Sequence, residues 1–93
     1  MNKKIIYKKV LKKWGESSQL GMLIEECSEL ITAVHKYFRM RRMGIISISA
    51  MAGEVADVEI MCEQFREIFP HARVDEIKEK KIERLERLLE REP

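Results

Sequence analysis

QLGMLIEECSELITAVHKYF, residues 19–38, decides the fold. Stepped at about 100° per residue, it resolves into three lines on a helix. Leu20, Leu23, Ile24, Cys27, Leu30, Ile31, Val34 and Phe38 make an apolar stripe, and Glu25, Ser28, Thr32, Lys36 and Arg39 a polar face. Between them runs a mixed line of Gln19, Met22, Glu26, Glu29, Ala33, Tyr37 and Met40. The period predicts a helix from about Ser18 to about Met40, with the stripe as its core face. Glu25 points to water, whereas Glu26 and Glu29 sit among apolar neighbours one turn above and below.

Residues 50–69 repeat the layout. Met51, Val55, Val58, Cys62, Phe65 and Phe69 form a core stripe, beside a mixed line of Ala50, Glu54, Asp57, Met61, Gln64 and Ile68. This third helix is expected from Ser47 or Ser49, either a suitable cap, to Phe69 before Pro70. Arg39 to Gly44 is read as the basic break that turns the chain between antiparallel helices. Glu26 with Glu29, and Glu54 with Asp57, are spaced i to i+3, so each pair aims two oxygens at one spot, and packing the two helices antiparallel permits both pairs to meet.

The rest of the chain is read as helix too. Ile6, Val10 and Trp14 recur every four residues between Lys3 and Trp14, with lysines elsewhere, which predicts a short amphipathic first helix that Gly15 ends before Ser17 or Ser18 caps the next. Pro70 to Arg73 is expected as a loop. Asp75, then Lys78 to Glu92, predict a capped last helix whose apolar sector holds Lys78 and Lys81, with Arg84 at its edge.

At 93 residues, with 45% hydrophobic and 37% charged residues, four glycines and two prolines, the expectation is one all-α domain: an antiparallel bundle of about four helices. Apolar residues on more than one face of each long helix call for completion by oligomerisation, as a homodimer or homotetramer. Eighteen basic against sixteen acidic residues, net +2, argue against nucleic acid as the default partner. No stretch is apolar enough to span a membrane, and two cysteines on core stripes, read as small apolar fillers without a leader sequence, point to a reducing, cytoplasmic setting.

Four carboxylates on inner helix flanks require compensation, by basic side chains or by a cation. Neither acid pair is followed by histidine as a di-iron bundle requires, and His35 and His71 read as surface residues. An all-oxygen set with room for water suits magnesium, or manganese in its place.

Glu25-Glu26-Cys27-Ser28-Glu29 followed by Glu54-Val55-Ala56-Asp57 resembles the EExxE and ExxD signature of the MazG-like, all-α nucleoside triphosphate pyrophosphohydrolases, and Trp14-Gly15, Gln19, Glu63-Gln64 and the stretch from Lys81 to Leu85 extend the likeness to the compact single-domain members. The resemblance implies that Glu26, Glu29, Glu54 and Asp57 ligate magnesium and that a nucleoside triphosphate is cleaved to monophosphate and pyrophosphate. It further implies that Lys81 and Arg84 hold the triphosphate, that Gln19, Trp14 or Tyr37 contact base or sugar, and that sites are completed between subunits. Glu29 is the candidate to take the proton of the attacking water.

Two other readings compete. In the first, the chain is a non-catalytic dimerisation or regulatory module whose acids pair with Lys78, Lys81 and the Arg41 region. In the other, weaker still, the first helix and Arg39 to Arg42 bind nucleic acid.

Overall fold

Asn2 starts the fold: its side-chain oxygen accepts the Ile5 N–H at 2.9 Å and caps helix α1, Lys3–Trp14. The computed structural model describes residues 1–91 and continues with α2, Glu16–Arg42, α3, Ser49–Ile68, a 3-10 turn over Pro70–Ala72, and α4, Val74–Arg91. Glu92 of the expected last helix lies outside the described residues. There is no strand among those described, so the all-α expectation holds. None of these helices is long and apolar enough to cross a membrane.

The boundaries moved where backbone conformation outweighed side-chain preference. Gly15 ends α1, its N–H bonding the Leu11 carbonyl at 2.9 Å, and its φ of 89° lets α2 begin at once, with no serine cap. Helix α2 runs on through Arg41 and Arg42, so the turn is Met43 to Ile48 rather than the arginines. Gly44, at φ 79°, supplies the reversal there. Ser49 is the first residue of α3, not its cap, and the expected loop after Pro70 is a helical turn closed by left-handed Arg73.

Helices α2 and α3 form the main packed pair, the end of α2 against the start of α3; α1 rests on both, and α4 makes no substantial packing with α1, α2 or α3. The most buried residues of α2 and α3 lie on the mixed line, so the expected core stripe is only partly the core. Gln19 and, from α3, Met61 and Gln64 are buried, with Glu26, Ala33, Tyr37, Met40 and Glu54 half-buried. The α2 stripe is split: Leu20, Leu23, Leu30 and Val34 are half-buried beside the seam, whereas its far edge faces outward, with Ile24 73%, Ile31 60% and Phe38 54% exposed. Cys27 and Cys62 are exposed free thiols rather than core fillers. The reason is angular: apolar residues occupy both the stripe and the mixed line of α2 and α3, and a single long neighbour covers only one side of each. The methionines, alanines and Tyr37 of the mixed lines make that side apolar enough to pack.

Much apolar surface is left over. The accessible area is 7849 Å², against about 5,600 Å² for a folded monomer of this mass. The radius of gyration is 17.0 Å, where a compact chain of this length has about 12 Å.

Candidate metal and nucleotide site

The i to i+3 spacing does on α2 what it predicts: Glu26 and Glu29 emerge on one face, one turn apart, and antiparallel α3 presents Glu54 to the same spot. One oxygen from each of these three carboxylates lies within 4.8 Å of the others. Asp57 stands outside that tight trio but near enough for its charge to act on both Glu26 and Glu54.

Among the described residues no basic side chain compensates the cluster. Glu26 Oε2 and Glu54 Oε2 are buried without a hydrogen-bond partner. Burial, then the charges of Glu29, Asp57 and Glu54, holds the Glu26 carboxyl above its ordinary range; burial, then Glu29 and Asp57, does the same to Glu54. Among the described residues the ion pairs are Lys3–Glu63, Arg66–Asp75 and Arg73–Glu76, none of which touches the cluster. Three converging carboxylate oxygens could hold a hard dication: the donors are all oxygen, and exposed Glu29 leaves a side open to water.

A cavity of about 500 Å³ adjoins the cluster and shares Glu29 and Glu54 with it. Ala33, Tyr37, Met40, Ile45, Ala50 and Met51 give it apolar walls, and Thr32, Lys36 and Ser47 stand at its polar edge. It exists because the chain after α2 folds back, the Ile45 N–H bonding the Met40 carbonyl at 3.0 Å, so that residues 45–47 close one end. Of these residues sequence reading made only Tyr37 a binding candidate. Lys36 looked like an ordinary polar-face residue, and nothing local marks Ile45 or Ser47 as wall-forming.

The other expected site residues are dispersed. Gln19 is buried in the seam, and Trp14, at the end of α1, is 56% exposed, with the Lys13 ammonium 4.8 Å from its ring centre. Lys81 and Arg84 are exposed on α4, which does not pack over the seam. His35 and His71 are exposed, as expected. The fold and site define an all-α chain with a carboxylate cluster opening into an apolar cavity. Comparison of the chain with protein-family models, with curated proteins and with solved structures finds no match.

Proposed function

We propose that the protein is a magnesium-dependent nucleoside triphosphate pyrophosphohydrolase, cleaving a nucleoside or deoxynucleoside triphosphate to monophosphate and pyrophosphate. The observation that carries the reading is the continuity of cluster and cavity through Glu29 and Glu54. A ligand seated across that junction has an anionic end at a cation site and a flat, largely apolar end among Tyr37, Met40 and Met51, which is the division of a nucleotide into phosphates and base. The cavity volume lies in the range of small-ligand sites, roughly 300–1,000 Å³. The resemblance of the two acid motifs to the MazG-like family supports the same reading.

Glu26, Glu54 and Glu29 would hold the dication, with Asp57 completing the set. Magnesium there, or manganese, supplies Lewis acidity, offsetting charge on the phosphate oxygens and acidifying water. Glu29, the exposed member, would accept a proton from the attacking water, and Lys36 is the one basic residue lining the cavity among those described. Lys81 and Arg84 would reach a triphosphate only by laying α4 over the seam of a neighbouring copy. A homodimer or homotetramer supplies such copies and covers the outward stripe of α2; the surplus of about 2,200 Å² per chain is what obligate interfaces bury. The rival reading, a non-catalytic dimerisation or regulatory module, needs its acids paired with Lys78, Lys81 or the Arg41 region, and no such pair forms within the chain among the described residues.

The test is pyrophosphate release from a panel of nucleoside triphosphates with magnesium or manganese. Turnover is expected, with Glu54→Gln and Asp57→Asn lowering kcat by about a hundredfold or more. No turnover with either metal, or unchanged turnover in both variants, overturns the reading.

A further inference from the structure

The first fourteen residues hold six lysines and no acid, which leaves twelve basic against sixteen acidic residues in the remainder. Structure gives this asymmetry a direction. Tyr7, buried, and half-buried Val10 and Leu11 turn toward the body, and Lys3 pairs with Glu63 at 3.2 Å. Lys4, Lys8, Lys9, Lys12 and Lys13 all face outward, and none makes an ion pair among the described residues. Lys4, Lys8 and Lys12 stand one above another at i to i+4 steps, each about 6 Å along the axis, with Lys9 and Lys13 as a second row. Like charges at that spacing destabilise a helix, by about 0.2–0.5 kcal/mol per pair. Helix α4, by contrast, offers its bases acids at the same spacing, Glu76 before Lys80 and Glu83 before Arg87. At the end of the lysine rows the indole of Trp14 is more than half exposed beside Lys13.

We propose that the outward face of α1 binds the phosphate backbone of single-stranded nucleic acid, with Trp14 as a platform on which an unpaired base stacks. Each lysine row lies along a chain of phosphates, whose charge removes the repulsion within the helix and releases counterions. The indole favours a single strand over a duplex, because only unpaired bases offer a free face. An anionic membrane is a poorer match, since Tyr7, Val10 and Leu11 turn to the body and leave only Ile5, Ile6 and Trp14 of the helix's apolar residues exposed for insertion. This surface is separate from the carboxylate cluster and works whether or not the proposed hydrolysis does.

Trp14 is the chain's one tryptophan, so its emission reports binding directly. The full-length protein is titrated with a short oligothymidylate, a duplex of equal length, inorganic polyphosphate and anionic phospholipid vesicles, from about 50 to about 300 mM salt. The single strand is expected to quench Trp14, with a log–log salt slope near −3.5 for five lysines, at about −0.7 per contact. Lys8→Glu with Lys9→Glu should abolish binding while keeping or raising the melting temperature, because each new glutamate gains lysine partners four residues away. Trp14→Phe, which has no tryptophan signal and is followed instead by the anisotropy of a dye-labelled oligothymidylate, should bind the single strand several-fold more weakly, with polyphosphate competing as well as it does on the wild type. The proposal is overturned by salt-insensitive or absent quenching, by binding that survives the double charge reversal, by a duplex or polyphosphate that binds as tightly as the single strand, or by a response to vesicles alone.

Discussion

An oxygen of Glu26, on α2, lies within 4.8 Å of one on Glu54, on α3, and each of these carboxylates also keeps a buried oxygen that no donor meets. Two like charges held so close by helix packing oppose the fold unless a cation joins them. Magnesium or manganese should therefore raise the melting temperature, on the order of 10 °C at a hundredfold excess over Kd. Glu54→Gln should raise the melting temperature of the metal-free chain and remove most of the metal's effect. Calorimetric scans with and without magnesium read both; an equal response to magnesium in wild type and variant removes the metal site.

Tyr37 and Met51 line the cavity from α2 and α3 without belonging to the carboxylate trio. If the cavity seats a base, Tyr37→Ala should raise KM about tenfold or more and leave kcat nearly intact, since it removes binding shared by ground and transition states. Glu54→Gln should do the reverse. Steady-state kinetics on one substrate separate the two, and a Tyr37→Ala loss confined to kcat would place the base elsewhere.

How much of this the sequence discloses depends on the range of the interaction. The period of residues 19–38 specifies a helix, and the i to i+3 spacing of Glu26 and Glu29 specifies a shared direction; both are properties of a few turns and both stand in the structure. Which apolar arc of α2 meets α3 is a choice between partners. The helical wheel places Ile24, Ile31 and Phe38 in the core because their stripe is the more apolar, yet α3 covers the mixed line and leaves them outside. The cavity was less legible still, because Ile45 and Ser47 acquire their place from a chain reversal whose one local mark is Gly44.

Helix α1 is held to α3 by Tyr7, whose hydroxyl donates to the Glu63 carboxylate, with Lys3 on the other carboxylate oxygen. The bond to Glu63, with burial, raises the Tyr7 pKa to about 12, and the same bond, with Lys3, draws the Glu63 carboxyl below its ordinary range. Because the folded Tyr7 pKa exceeds the unfolded one, the stabilisation is fully present below about 10 and is lost as pH rises through about 12. For Glu63 the sign reverses, and its share fades as pH falls below the ordinary carboxylate range. Tyr7→Phe should cost about 1 kcal/mol, a drop in melting temperature of about 4–8 °C, and abolish the alkaline limb. Absorbance titration of tyrosinate alongside melts from neutral to alkaline pH checks it; an unchanged alkaline limb in the variant contradicts the assignment.

The outward stripe of α2 bears on the assembly. Ile24, Ile31 and Phe38 recur at seven-residue intervals on one side of the helix, all more than half exposed, and burying three such side chains is worth about 1.5–3 kcal/mol each. A chain that keeps them in water while showing about 2,200 Å² of surplus surface should self-associate, as a dimer or tetramer at micromolar concentration. Ile24→Lys with Ile31→Lys should convert the assembly to monomer without loss of helicity, because both side chains are at least 60% exposed in the single chain. Sedimentation velocity separates the outcomes. If Lys81 and Arg84 serve a neighbouring copy's phosphates, the monomeric variant also loses activity while its magnesium-dependent rise in melting temperature persists, since Glu26, Glu29 and Glu54 come from one chain. A monomeric wild type at those concentrations would mean that the stripe faces water and that α4 acts within its own chain or not at all.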